Sequence, residues 1–199
     1  MNPFAAALAR EGTTECCHLR SRFGFLAFHG GALERATDVI AAGAAELAGA
    51  SYYGVSHAPG VVHFPSTSVD PRSSPALARF LAHVEVAVAV HGFGRQGYFS
   101  AMLFGGRNRV LAEHLAAAAD SALPDYEAIT DLTRIPRELR GQDPRNPVNL
   151  PRGGGVQIEL PPRVRGTSPL WAHWRGPGPV PPAQRLIEAL AAAALRWAG

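Results

Sequence analysis

The sequence predicts a three-layer α/β domain, and three segments carry that reading. Phe23 to Phe28 is an unbroken apolar run of strand length, followed at helical spacing by Leu33, Ala36, Ile40, Ala44 and Leu47. Val84 to Val90 is a second run, rich in valine and too short to span a membrane, that stops at His91-Gly92. Gly153-Gly154-Gly155 introduces a third, Val156 to Leu160, closed by Pro161. Buried strands that alternate with amphipathic helices build a sheet covered on both faces. With 199 residues and 47% hydrophobic content the chain can bury one substantial core, so a single domain over 1–199 is expected.

The elements follow in order. Met1 to Glu11 lacks a basic start and reaches charge before an apolar stretch long enough for export. No signal peptide or transmembrane helix is therefore expected, and the location read from it is cytoplasmic, with release by lysis as a route outward. Cys16 and Cys17 are adjacent, which makes a poor disulfide, offers no CxxC spacing and suits a reducing compartment. After the strand at 23–28 a helix begins near Leu33, placing Glu34 in its first turn. Ser51 to Ser56 reads as a short strand and Val61 to Ser66 as further extended chain. Ser73-Ser74-Pro75 starts a helix that runs to about His83 with Leu77, Phe80 and Leu81 on one face. Beyond the strand at 84–90, Tyr98 to Phe104 is read as a strand and Asn108 to Ala122 as a helix carrying Val110, Leu111, Leu115 and Ala118. Pro136 to Arg152 is loop-rich, and Gly155 to Leu160 is the next strand. Thr167 to Pro182, dense in Pro and Gly, should run over the surface. Pro182 to Ala198 closes the chain as an amphipathic helix with Leu186, Ile187, Leu190, Ala193, Leu195 and Trp197.

Polar residues interrupt the apolar runs at one kind of place. His29 ends the first strand, and Glu34 follows across Gly30-Gly31, whose freedom lets the backbone bend until both side chains face one point. His91 ends the second strand, and Glu159 lies near the end of the third. Open α/β sheets bind ligands outside the carboxyl ends of their strands. Taken singly, His29 could cap the following helix, Glu34 could complement a helix dipole, and Glu159 could be an edge charge beside Pro161. Their shared placement argues for one site. Two imidazoles and a carboxylate match an open zinc site, in which three protein ligands leave a position for chemistry. His57, His63, His83, His114 and His173 are read as surface or supporting residues, His114 on a solvated face with Glu113 and Asp120. Trp171 and Trp174 are read as anchors for their loop. All the positive charge is arginine, which together with abundant Ala, Gly and Pro matches a GC-rich coding bias. The net charge of +3 permits an anionic substrate, but the chain lacks the clustered basic and aromatic face of nucleic-acid readers. Neither a nucleic-acid nor a membrane partner is expected.

Read in succession, His29-Gly30-Gly31-x-Leu33-Glu34, Ser51-Tyr52-Tyr53, His63 to Asp70, Val90-His91-Gly92, Gly105 to Asn108, Asn146 to Asn149 and Gly155 to Leu160 resemble the poly-gamma-glutamate hydrolase family. Its members are zinc enzymes of bacteria and their phages with a zinc-carboxypeptidase-like fold. The resemblance spans roughly residues 23–165. It implies an αβα sandwich around a mixed, largely parallel sheet. It also implies a Zn2+ cofactor held by His29, Glu34 and His91, with Glu159 as the general base. The implied substrate is an anionic γ-glutamyl polymer or a small anionic amide. Arg107, Asn108, Asn149 and Arg152 become candidate substrate-binding residues. One departure stands out: in the family an Arg directly follows the Asn matched by Asn149, whereas this chain has Leu150. Arg107 and Arg152 are the alternatives for a substrate-carboxylate or oxyanion contact. The same zinc chemistry could instead serve an N-acyl amino acid deacylase or a carboxypeptidase-like peptidase. A non-catalytic nucleic-acid-binding protein is a third reading, against which stand Glu159 beside a full ligand set and the missing basic-aromatic stripe.

Overall fold

In the computed structural model, which describes residues 2–198, strands β1 (Thr14–His18), β2 (Phe23–Gly31), β3 (Ser51–His57), β4 (Val86–Gly92), β5 (Ala101–Phe104), β6 (Glu127–Ile129) and β7 (Gly155–Leu160) form one mixed sheet. Their order is β1-β3-β2-β4-β7-β5-β6. The four central strands β3, β2, β4 and β7 are parallel. β1 runs antiparallel to β3 and β5 antiparallel to β7, while β6 pairs parallel with β5. The helices are α1 (Pro3–Leu8), α2 (Thr37–Ala48), α3 (Pro75–His83), α4 (Arg109–Ala122), α5 (Pro162–Arg165) and α6 (Pro181–Arg196).

Strand alternation sorts the side chains into two cores. Val86, Val88 and Val90 of β4 and Val156, Ile158 and Leu160 of β7 point to one face, where they meet Ile40 and Ala44 of α2, Leu111 and Leu115 of α4, and Leu186 and Leu190 of α6. Ala87 and Ala89 point to the other face, under Phe4 of α1, Phe64, and Leu77 and Phe80 of α3. On that second face the next alternate positions are not apolar: they are His91, Gln157 and Glu159. The expected three-layer arrangement is therefore observed, and its alternation delivers the polar residues together.

Several boundaries differ from the sequence reading for physical reasons. β2 continues to Gly31 and β4 to Gly92, so His29 and His91 lie inside their strands, close to the carboxyl ends. α2 starts only at Thr37, because Ala36 takes a left-handed conformation with φ 73, so Glu34 sits in a turn and not in the first helical turn. Leu47, Val110 and Leu195, read as core-facing, are exposed, and the faces they flank are filled by alanines. Residues 61–65 form no strand. Ser74 caps α3 by accepting from the Leu77 amide at 2.9 Å, and Asn108 caps α4 by accepting from the Leu111 amide at 2.9 Å. Trp171 anchors its loop by donating from Nε1 to the Arg163 carbonyl at 2.7 Å. His114 stacks near Trp197 and bonds the Ala193 carbonyl at 2.9 Å, so it joins two helices. No helix among the described residues is long and apolar enough to cross a membrane.

Candidate functional site

His29 reaches the second face through a fault in β2. The register between β2 and β3 shifts between Ala27 and Gly30, where three steps along β2 match two along β3. Such a bulge re-aims a side chain. Phe28 packs near Tyr53 at 6.4 Å between centroids, and His29 turns to the same side, 4.9 Å from the Phe64 ring and 5.1 Å from the His91 ring. The glycines expected to permit this bend are required by it. A Cβ at residue 30 would meet Asp38 Cβ at 2.4 Å, and at Gly31, where φ is +66, a Cβ would lie 2.6 Å from the His57 backbone.

The following turn brings Glu34 back over the strand ends. Its amide donates to the His29 carbonyl at 2.7 Å, and Thr37 Oγ1 donates to the Glu34 carbonyl at 2.8 Å. The carboxylate is then surrounded. His29 Nδ1 and His63 Nε2 lie 3.0 Å from Oε1, His91 Nδ1 lies 3.3 Å from Oε2, and the Gly92 amide donates to Oε2 at 2.9 Å. The two Nδ1 atoms stand 3.3 Å apart. One donor atom each from the buried residues His29, Glu34 and His91 falls within a 4.8 Å group that could hold a metal ion.

The donor set fits zinc on its geometry. Nitrogens bound to one tetrahedral zinc at ~2.0–2.1 Å stand about 3.3–3.4 Å apart, which is the Nδ1 to Nδ1 separation seen here. In the absence of an ion, His29 and Glu34 already stand in the ligating protonation states. His91 is held toward its protonated form and would have to give up a proton to a metal. Burial drives the His29 imidazole down to about 4, although Glu34 pulls the other way. Burial also acts against His91, but Glu34 and Glu159 outweigh it and raise that ring. Burial would lift Glu34, yet His91 and His29 hold its carboxyl well below the usual range. An ionised carboxylate beside a neutral imidazole is the form that binds a cation.

Glu159 occupies the adjacent strand, in register with His91. Burial, with Glu34 adding to it, pushes its carboxyl up to about 7 against the opposing pull of His91. Gln157 donates to its Oε1 at 2.8 Å. His29, Glu34, His91 and Glu159 all line one cavity of about 630 Å³. Residues 137–143 form the opposite wall, including Arg137, Gln142 and Asp143, and Ser66 and Thr67 close a side. On this wall Glu138 pairs with Arg95 and Asp143 with Arg145, each at 2.8 Å, whereas Arg137 has no ion pair among the described residues.

The four remaining candidates lie elsewhere, and none lines the cavity. β5 runs antiparallel to β7, so its carboxyl end carries Gly105 to Asn108 to the amino end of β7, where the Asn108 amide donates to the Gly155 carbonyl at 3.0 Å. Glu159 is at the other end of that strand. Asn108 spends its side chain on the α4 cap and on the Gly153 carbonyl at 2.9 Å. Asn149 staples the wall loop, donating to the carbonyls of Gly141 at 2.7 Å and Asp143 at 3.0 Å and accepting from the Arg107 amide at 3.1 Å. Arg107 and Arg152 are exposed. His63, expected at the surface or in support, lines the cavity beside Glu34, and Asn146, Gln157 and Arg137, which carried no expectation of a site role, line it as well. His63 and Asn146 lie within the matched motifs, and Gln157 sits two residues before Glu159 on the same strand face, which was the available signal.

Comparison with known proteins bears on this arrangement. The family profile described as poly-gamma-glutamate hydrolase matches residues 7–168. The structure described as that of a bacteriophage poly-gamma-glutamate hydrolase superposes with a TM-score of 0.75 at 22% identity, covering 91% of this chain and 87% of that one. A second, described as YNDL in a zinc-free apo form, gives 0.71 at 21% identity, covering 91% and 88%. No curated protein sequence matches the chain.

Proposed function

The chain belongs to the poly-gamma-glutamate hydrolase family, and from that premise we propose that it is a zinc-dependent amidohydrolase cleaving γ-glutamyl amide bonds of an anionic polymer. The observation that carries this reading is the convergence of His29, Glu34 and His91 beside Glu159 in one cavity. The zinc-free description of YNDL is in keeping with a zinc site in proteins of this fold. His29, His91 and Glu34 would hold the zinc, which would supply Lewis acidity for a carbonyl and a bound water.

The chain's own residues do the rest. Glu159 accepts the proton of the attacking water at Oε2, since Oε1 is engaged by Gln157, and returns it to the leaving amine. A carboxyl raised to about 7 is matched to both halves of that task near neutrality. Arg137, the wall cation without an acidic partner among the described residues, would grip a substrate carboxylate bidentately, a role favoured over Arg107 and Arg152 because Arg137 lines the cavity and they do not. His63, half outside the site at 59% side-chain exposure, steadies Glu34 from the solvent side.

The test is turnover of poly-γ-glutamate against an N-acyl amino acid by zinc-loaded protein. Release of γ-glutamyl fragments, lost on chelation and weakened through KM by Arg137→Ala, is the expected result. Preference for the N-acyl amino acid would install the deacylase reading. Hydrolysis that survives complete zinc removal would overturn the metal assignment.

A further inference from the structure

We infer that Gln157 is a positioning residue whose amide, oriented by Asn146, fixes one oxygen of Glu159 and leaves the other as the only atom that carries the proton. This rests on the reading of Glu159 as the general base.

The orientation is set by a series of hydrogen bonds that runs in one direction. It begins at the Val148 amide, a group that can only donate, which reaches Asn146 Oδ1 at 3.3 Å. With its oxygen engaged, Asn146 turns Nδ2 to Gln157 Oε1 at 2.7 Å. With its own oxygen engaged in turn, Gln157 offers Nε2, which donates to Glu159 Oε1 at 2.8 Å and to the Leu139 carbonyl at 3.3 Å. Every polar atom of the Gln157 side chain is thereby used. Asn146, Gln157 and Glu159 are all buried, so no bulk water competes for these bonds.

The partners, not the space, fix which end of the amide faces Glu159. Gly141 packs against the side chain, and a Cβ there would come within 2.6 Å of Gln157 Cβ and 2.9 Å of its Oε1. Turned over, the amide would set its oxygen against the Glu159 carboxylate and its two hydrogens against those of Asn146 Nδ2. Oε1 already accepts an N–H, which makes it the poorer proton acceptor of the two oxygens and leaves Oε2 to take the proton. Leu139 and Asn146 also belong to the loop that walls the cavity, so the base and the wall facing it are held as one unit. Catalytic geometry tolerates displacements of only a few tenths of an ångström, which gives such a series a function beyond packing.

Two near-isosteric substitutions test this. Gln157→Met removes the donor, and Asn146→Asp removes the only donor to Gln157 Oε1, freeing the amide to turn its carbonyl toward Glu159. Each should lower kcat roughly 10–100-fold with KM within about twofold, the scale of losing a bond to a charged group. Each should also move the acid limb of kcat/KM to higher pH, because the Glu159 anion loses a partner while His91, Glu34 and Arg165 still face it. Zinc stoichiometry should stay at the wild-type value. In the Gln157→Met background, Asn146→Asp should add nothing further, since it acts through Gln157. In the unsubstituted protein the two Nε2 hydrogens of Gln157 should exchange slowly with solvent.

A fall in kcat with an unmoved acid limb, additive effects of the two substitutions, or fast exchange at Nε2 would each overturn the inference. Glu159→Gln separates it from its premise. If that variant keeps turnover, the base assignment fails; if it is inactive while Gln157→Met matches the wild type in kcat and pH profile, only the positioning role fails.

Discussion

His29 and His91 face each other Nδ1 to Nδ1 at 3.3 Å, and when both rings carry their proton on Nε2 the two lone pairs point into one small volume. Glu34 lies beside both nitrogens and adds negative charge there, so a divalent ion among the three would relieve the repulsion. Removing one of three ligands leaves two, too few for a tight zinc site, so His29→Ala should lose metal and activity together, as elemental analysis and turnover would show. Full zinc occupancy in that variant would take His29 out of the shell. In the proposed function Glu159 sets the pH dependence. With its unprotonated form as the base, kcat/KM should fall as pH drops through its pKa. Burial raises that value from the usual 4.5 to about 7, and a dication beside it pulls it back, so the acid limb should fall between those limits. Glu159→Gln must abolish the limb with the activity. His29, Glu34, His91 and Glu159 were legible in the sequence because each interrupts or follows a strong apolar run. Arg137 was not, for it lies in an irregular loop whose path no periodicity encodes.

At the scale of elements, direction within the sheet decided which candidates reached the site. The ends of β2, β4 and β7, which run parallel, meet in one cavity, whereas the segment after β5, which runs the other way, leads away from it. Hydrophobic patterning reports that a strand exists and is silent on its direction, so nothing in it could tell that Arg107 and Asn108, candidates by the family resemblance, do not line the cavity. Asn108 gives a direct check. As the N-cap of α4 it should cost about 0.5–2 kcal/mol of stability when replaced by Ala, read by denaturant unfolding, with KM unchanged. A raised KM at unchanged stability would restore Asn108 to the substrate. Other elements escaped notice for local reasons. β1 is an exposed polar edge strand, and β6 has three residues, too few for alternation to register. The late start of α2 depends on a left-handed alanine, which no propensity favours.

Across the whole molecule, the site is assembled from three strands and a turn, while stability comes from apolar clusters on both faces of the sheet. Of the proposed ligands, His91 lies far along the chain from His29 and Glu34, so the unfolded chain offers no preformed three-ligand site and metal should bind the folded state selectively. Binding of that kind stabilises by mass action. At a hundredfold excess of free zinc over Kd the gain is about 2.7 kcal/mol. At roughly 2–4 °C per kcal/mol for a chain of this size, Tm should rise by about 5–11 °C on loading. Stripping with a chelator should reverse the rise without unfolding the protein, because neither large apolar cluster includes a ligand and the clusters remain packed on both faces of the sheet. Calorimetry with and without chelator checks both statements. An unchanged Tm would mean that the folded chain binds no zinc. Unfolding at room temperature would mean that the ion holds the fold together, and an ion with that duty occupies a closed structural site, not the open one that hydrolysis requires.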